Sequence, residues 1–358
     1  VKPSEPTARQ AGSAGPRSEP AVGFAVVGCG AVGASHYLPA LAGCRRAEAV
    51  LVVDRDAGRA HAAAARWGVP AVATDAGEVP GRAEAAVVAL PNHLHAPVAI
   101  DLLRAGVHVL VEKPMGLSTA ECDAMIEAAA QGGARLTVGL QFRFFNATEL
   151  VRDLLAGGLL GPLQGFEMRL GVVSRWPFAT DFVLRREAAG GGVLVDYGVH
   201  VLDLLLHWLG DWKEVRYRDD AYGGVESDCE LDLAFASGVA GTIEISRTRN
   251  LRNTCLFIGE RGRLEVGIWD PDPPIVLETA GSAVALSGRA SRDGGSGLDF
   301  LGAFGRQLDD LAGAVREGRE PFISGAEGRR SVFLIEACYA VREPLELPWV
   351  RPSLPVAG

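Results

Sequence analysis

The turn Gly28-Cys29-Gly30-Ala31-Val32-Gly33 stands between an apolar run, Phe24–Val27, and a helical pattern from about Ala34 to Gly43. Few folds are open to a chain that spaces glycines as G-x-G-x-x-G in that setting. Consecutive apolar residues suit a strand buried on both faces, as in a parallel sheet. Gly28 makes the tight turn, Gly30 lets backbone approach a pyrophosphate, and Gly33 lets the new helix press on the strand. The helix start, Ala31 to Gly33, offers free N–H groups and a partial positive charge to phosphate. A second apolar run, Ala49–Val53, ends at Asp54. It lies about twenty or more residues past the turn, where an acidic side chain accepts hydrogen bonds from a ribose. A carboxylate there repels a 2′-phosphate and favours NAD, while Arg55 beside it keeps NADP open.

The pattern then alternates. Helices are expected at Asp56–Trp67, Ala96–Ala105 and Thr119–Gln131, and strands at Ala71–Thr74, Ala85–Leu90, Val107–Val111 and Arg135–Gly139. This is an α/β, doubly wound parallel sheet, and ligands bind beyond the carboxyl ends of its strands. Pro91, Asn92 and His95 follow one such end, and Glu112, Lys113 and Pro114 another. With Gly28–Gly33, Asp54 and Arg55 they form the expected cofactor crevice.

The chain has 358 residues, too many for one ordinary core. We expect a disordered tail over 1–22, a dinucleotide-binding domain over 23–142, a second domain over 143–345 and a C-terminal tail over 346–358. A net charge of −9 argues against nucleic acid or an anionic membrane surface as a partner. Residues 1–22 lack the apolar core of a secretory signal. The six cysteines are scattered without paired spacing, so neither disulfides nor a metal site is expected and a cytoplasmic location is.

Lys113 is one of only three lysines, at a strand end facing the crevice. An ammonium there can stabilise an alkoxide beside a nicotinamide. The stretch Gly190–Gly210, GGGVLVDYGVHVLDLLLHWLG, is otherwise apolar, yet carries Asp196 and His200 four apart, with Asp203 and His207 continuing the stripe. Spacing of four puts side chains on one helix face, and polar groups in apolar surroundings must be paired or functional. A structural His–Asp pair and a catalytic one both fit. The glycines before it would let backbone approach a ligand.

These residues together resemble the Gfo/Idh/MocA family, which includes glucose–fructose oxidoreductase and inositol dehydrogenases. The likeness runs from Phe24 to about Arg342 through Gly28–Gly33, Asp54, Pro91-Asn92-His93-Leu94-His95, Glu112-Lys113-Pro114, Gly139–Phe144 and Gly191–His200. The resemblance implies Lys113, Asp196 and His200 as the catalytic set, and a second domain built on an open, mostly antiparallel sheet. One departure is Phe142-Arg143, where many members carry two basic residues, leaving Arg143 alone as a substrate contact there.

Alternating runs at Leu163–Val173, Glu230–Phe235, Val239–Thr248, Cys255–Gly259 and Arg263–Val266 suit such a half-buried sheet. Its open face suggests a homo-oligomer, dimer or tetramer. Helices are expected near Phe300–Arg316 and Gly325–Tyr339, and the prolines at 271, 273 and 274 read as loop. Arg175, Trp176, Phe178 and Asp181 lie in a loop placed to wall the substrate. The expected activity is hydride transfer between NAD, or NADP, and a secondary alcohol or ketone of a sugar, cyclitol or amino-sugar. His200 would be the base, with its unperturbed pKa near 6.5, and Asp196 would orient it or hold a neighbouring hydroxyl. A cofactor-retaining non-redox enzyme and a nucleotide-sensing binding protein are the alternatives. Asp181, Glu226 and Asp228 suit a cationic amino-sugar, but solvated surface is the leading reading of them.

Overall fold

A computed structural model describes residues 20–173, 181–270, 273–287 and 300–346. The first half runs β1 (Val22–Val27), α1 (Leu38–Gly43), β2 (Ala47–Val53), α2 (Ala57–Trp67), β3 (Ala71–Ala73), β4 (Ala85–Val88), α3 (His95–Arg104), β5 (His108–Glu112), α4 (Thr119–Gly132) and β6 (Leu136–Gly139). Its six strands are parallel, in the order β3-β2-β1-β4-β5-β6. Chain direction across the sheet reverses between β1 and β4, which opens a crevice at their carboxyl ends. All four β4 residues are buried, so no polar alternation is possible there. α2 is capped by the Asp56 side chain, which accepts from Arg59 N–H.

The second half runs α5 (Asn146–Ala156), β7 (Leu163–Gly171), α6 (Arg186–Ala189), α7 (Val199–Leu209), β8 (Trp212–Asp219), β9 (Asp228–Phe235), β10 (Ala240–Ser246), β11 (Thr254–Gly259), β12 (Gly262–Gly267), β13 (Pro274–Thr279), β14 (Ser282–Ser287), α8 (Phe300–Glu317), α9 (Gly325–Ala340) and β15 (Arg342–Pro344). Nine strands order as β14-β13-β12-β11-β7-β10-β9-β8-β15. Neighbours are antiparallel except β7 with β10 and β8 with β15. Phe166, Met168, Leu231, Ile243 and Phe257 turn one face into the core shared with α7. The opposite face carries ion pairs, among them Arg218–Asp232 between β8 and β9 at 3.1 Å and Arg249–Glu244 at 2.8 Å. That face is charged rather than apolar.

Several details differ from the sequence reading. β1 begins at Val22, inside the expected tail. β13 begins at Pro274, because a strand's first residue needs no ladder N–H. β8, β14 and β15 carry no clear alternation and were not expected. α8 returns to the first half: Phe304, Leu308, Leu311 and Ala312 share a core with Phe24, Val26, Leu38 and Leu110. The segment Arg186–Leu209 is long and apolar enough to cross a membrane, but 83% of its most apolar window is buried inside the protein, as in a core helix. Both tails up to 19 and from 347, the loop at 288–297, and Arg175, Trp176 and Phe178 lie outside the described residues.

Candidate active site

The glycine turn is built as its spacing requires. Gly28 has φ +100°, and a Cβ there would lie 2.2 Å from the Ala89 carbonyl oxygen. A Cβ on Gly33 would lie 1.9 Å from the Gly28 oxygen, so the helix can seat only without one. Gly30 is different: a Cβ there would meet nothing within 4 Å, so protein packing does not demand glycine. The space above it suits a ligand's phosphates. The helical ladder starts with Ala34 N–H donating to Gly30 O at 2.9 Å, which leaves the N–H groups of Ala31, Val32 and Gly33 for an anion. The chain continues as a π turn over Gly33–Tyr37 before α1. Asp54 closes the turn: its carboxylate accepts from Cys29 N–H at 3.0 Å and Asp56 N–H at 2.9 Å. Arg55 beside it is exposed. These residues fit the adenosine and pyrophosphate of a dinucleotide.

Glu112, the last residue of β5, is buried and does not face outward. It accepts from Tyr37 OH at 2.6 Å and from Lys113 N–H at 3.0 Å, so it fixes the backbone from which Lys113 springs. Burial pushes the Glu112 carboxyl up, against the Tyr37 hydrogen bond and the Lys113 charge. A Cβ on Gly139 would press within 2.8 Å of that carboxylate, which explains glycine at the end of β6. The Lys113–Pro114 peptide is cis.

Asp196 lies in a second π turn, Leu194–Gly198, which runs directly into α7 carrying His200. Such turns recur at functional sites, where they shift side chains off the regular helical stripe. Lys113 Nζ donates to Asp196 Oδ1 and to its main-chain oxygen, both at 2.9 Å. Asp196 therefore grips Lys113 and makes no hydrogen bond to His200. The His200 ring is held by stacking on Phe142, with centroids 4.3 Å apart and planes at 16°. Its Nδ1 is buried without a partner. Trp269 packs edge-on against Phe142 and Tyr197 at 6.0 and 5.6 Å, and adds a half-exposed aromatic wall.

The charges settle the protonation states. Burial, then the Lys113 ammonium, drives the His200 pKa well below its ordinary value against the pull of Asp196. The ring is neutral at neutral pH, not poised near 6.5 as the sequence suggested. Desolvation tends to raise the Asp196 carboxyl, but Lys113 and then Arg247, at 3.7 Å, outweigh it and hold it below the usual carboxylate range.

Other expected site residues are placed elsewhere. Arg143 is 2% exposed. Its guanidinium forks onto Asp203 at 2.8 and 2.6 Å and reaches Glu327 at 2.9 Å, so it ties α7 and α9 to the end of β6. It is spent on the core and not on a substrate. Asp203 belongs to that cluster too, and His207 Nδ1 lies 3.4 Å from Arg143. His95 is buried with its two ring nitrogens 2.8 Å from the Pro114 and Leu90 carbonyls, bridging the two loops of the crevice floor. Asn92, after Pro91, donates to Ala189 O at 2.8 Å and links the halves. Trp176 lies outside the described residues.

The acidic residues offered for a cationic substrate are also engaged. Glu226 is fully buried and accepts from Gly192 and Leu194 N–H at 2.8 and 3.1 Å and from Tyr339 OH at 2.7 Å. Asp228 binds Arg249 at 2.8 Å, and Asp181 pairs with Arg185 at 3.3 Å. The glycine run serves this packing: a Cβ on Gly192 would lie 1.9 Å from the Glu226 oxygen, and one on Gly191 1.9 Å from the Tyr339 hydroxyl. Tyr37, Trp269 and Arg247 were missed by the sequence reading. No spacing marks them; only the isolated aromatic Trp269 beside a proline-rich turn offers a weak signal.

The same two halves are recognised in comparisons with known proteins. A family model described as an oxidoreductase family with an NAD-binding Rossmann fold matches residues 22–140, and a GFO/IDH/MocA C-terminal domain model matches 148–265. The putative UDP-kanosamine synthase oxidoreductase subunit of Amycolatopsis mediterranei (strain S699) is 29% identical, over 88% of this chain and 94% of that protein. The dTDP-3,4-didehydro-2,6-dideoxy-alpha-D-glucose 3-reductase of Streptomyces violaceoruber is 32% identical over 58% of this chain and 60% of that one. The crystal structure of aldose-aldose oxidoreductase from Caulobacter crescentus, complexed with glycerol, shares the fold, with a TM-score of 0.80 at 24% identity over 90% and 97% of the two chains. The first model spans Lys113 and the second spans Asp196, His200 and Arg247. With an NAD-binding Rossmann domain and this second domain joined at one crevice, the chain belongs to the Gfo/Idh/MocA family of oxidoreductases.

Proposed function

We propose that this protein interconverts a secondary alcohol and a ketone on a sugar, cyclitol or amino-sugar derivative, using NAD in preference to NADP. The observation that carries this reading is the Lys113 ammonium on Asp196, one helical turn before a neutral His200. The bound nicotinamide supplies the hydride acceptor. In the oxidative direction the unprotonated His200 ring takes the hydroxyl proton. Lys113 stabilises the charge that develops on the same oxygen. Asp196 holds Lys113 and offers its carboxylate to a neighbouring hydroxyl, while Phe142 and Trp269 exclude water from one side. The activities named for the Amycolatopsis and Streptomyces relatives, both on nucleotide-linked sugars, support a sugar substrate. The Asp54 carboxylate supports NAD.

The open outer face of the nine-stranded sheet supports a homo-oligomer with that face buried, which light scattering tests. Six free cysteines support a cytoplasmic location. The activity is tested by offering sugars, cyclitols and aminoglycosides with NAD and NADP, and ketoses with the reduced cofactors, read at the absorbance of reduced nicotinamide. The reading fails if no substrate changes that absorbance in either direction while the protein binds NADH.

A further inference from the structure

The crevice holds a second cation that the reaction above leaves without a task. Arg247 follows β10 directly, and its backbone is fixed. Its N–H donates to Ser227 O at 2.9 Å, and Ser227 N–H donates in turn to Asp220 Oδ1 at 2.7 Å. The Arg247 side chain is only 13% exposed, and Nη2 stands 3.7 Å from Asp196 Oδ2, too long for a hydrogen bond. Nε is buried with no partner. Among the described residues no side-chain hydrogen bond satisfies this guanidinium. Arg143, buried more deeply, is gripped by two carboxylates, whereas among the described residues the Arg247 guanidinium has only the loose ion pair with Asp196.

Asp196 meets it only as a loose ion pair: Oδ2 stands 3.7 Å from Nη2, beyond hydrogen-bond reach, while Oδ1 is held by Lys113. The other acids near this end of the sheet are committed too: Asp228 to Arg249 and Thr248, Glu226 to the start of the catalytic helix. Among the described residues around Asp196, two cations face one carboxylate and a neutral imidazole, which leaves one positive charge in excess. A planar fork of donors matches a carboxylate or phosphate with two parallel hydrogen bonds, and a buried donor left unmade is costly.

We propose that the substrate carries an anionic oxygen group, carboxylate or phosphate, and that Arg247 receives it. Lys113 and Arg247 sit on the two oxygens of one carboxylate, so the anion lies within about one sugar ring of the reacting carbon. This rests on the sugar oxidoreductase reading of the same site.

The test is calorimetric titration of the full chain, saturated with NAD, with D-glucuronate, UDP-glucose, D-glucose and D-glucosamine. We expect one of the two anions to bind about 10- to 100-fold more tightly than D-glucose. Preference for glucuronate identifies a carboxylate, and preference for UDP-glucose a phosphate. In Arg247→Gln that advantage disappears, and in Arg247→Lys part of it returns. The proposal is overturned if neither anion binds, if glucose or glucosamine binds as tightly as both, or if Arg247→Gln weakens all ligands equally. If Arg247→Gln does not fold, the wild-type ranking still decides. Binding does not depend on turnover: if an anion binds through Arg247 and no compound of the panel is oxidised or reduced, the redox reading alone fails. Neutral sugars turned over without anion preference sink this inference alone.

Discussion

Lys113 Nζ lies 2.9 Å from both the carboxylate Oδ1 and the main-chain oxygen of Asp196. One group directly follows a strand of the parallel sheet, and the other sits on the π turn that opens the helix of the second half. A two-point grip on a single residue fixes the ammonium more tightly than a lone ion pair, because the carbonyl belongs to backbone that cannot rotate away. The latch also places the cation next to the neutral imidazole of His200.

Replacing this cation isolates its role. Lys113→Met should reduce turnover by about 100- to 10,000-fold, with the dissociation constant for NADH little changed. Turnover by absorbance and NADH binding by fluorescence check it; wild-type turnover would remove Lys113 from the chemistry.

The depressed pKa of His200 has a sign that can be measured. Oxidation needs the neutral ring, and burial with Lys113 keeps it neutral well below pH 6.5. The acid limb of kcat/KM for oxidation should therefore lie clearly below pH 6.5. A limb at 6.5 to 7 that vanishes in His200→Asn would contradict this.

The same shift links to stability. The unfolded chain binds protons near pH 6.5 that the folded His200 refuses. His207, lowered to about 4, and His36, His95 and His108, all lowered by burial, act alike. Their contribution is present above the unfolded value and lost as pH falls toward the folded ones. Thermal melts should be level between pH 8 and 7 and fall progressively from about 6.5. Glu112 and Asp203, raised by burial, oppose that trend as pH falls from their folded values toward the ordinary carboxylate range.

Two glycines of one turn should fail in different ways. Gly33→Ala drives a Cβ to 1.9 Å from the Gly28 oxygen, so the variant should be destabilised by more than about 4 kcal/mol or not fold. Gly30→Ala meets no protein atom and should melt near wild type, yet bind NADH at least about tenfold more weakly. Equal NADH affinity in a folded Gly30→Ala would mean that phosphates do not pass over this turn.

Arg143 should behave as core and not as a substrate contact. Arg143→Met strands the Asp203 carboxylate, at a cost of about 3–5 kcal/mol in urea unfolding. Arg143→Met with Asp203→Leu should regain most of it. A normal melt with a raised KM would place Arg143 at the substrate after all.

How far these roles could be read from sequence depends on the range of the interactions that create them. β1 and β4 are legible because a strand covered on both faces must be apolar along its length. The glycine turn is legible because backbone geometry acts within a few residues. β13 was hidden by Pro274, and β15 is three residues long and exists only because β8 offers it an edge. Asp196 and His200 were read as one helical stripe, but the π turn sends Asp196 to Lys113, and His200 relies on Phe142.

By itself the sequence determined the parallel sheet, the nucleotide-binding turn and the membership of Lys113, Asp196 and His200 in one site. The first two follow from local patterns of backbone geometry and burial, whereas the set of three was implied only by the family resemblance. The tertiary structure alone decided what the arginines do. Arg143 lies in the recognisable motif, yet it finds Asp203 and Glu327 and becomes part of the core. Arg247 lies in no motif, yet it comes to rest 3.7 Å from Asp196 with no side-chain hydrogen bond among the described residues. A charge takes its role from the oxygens that folding brings within reach, and those oxygens come from distant parts of the chain.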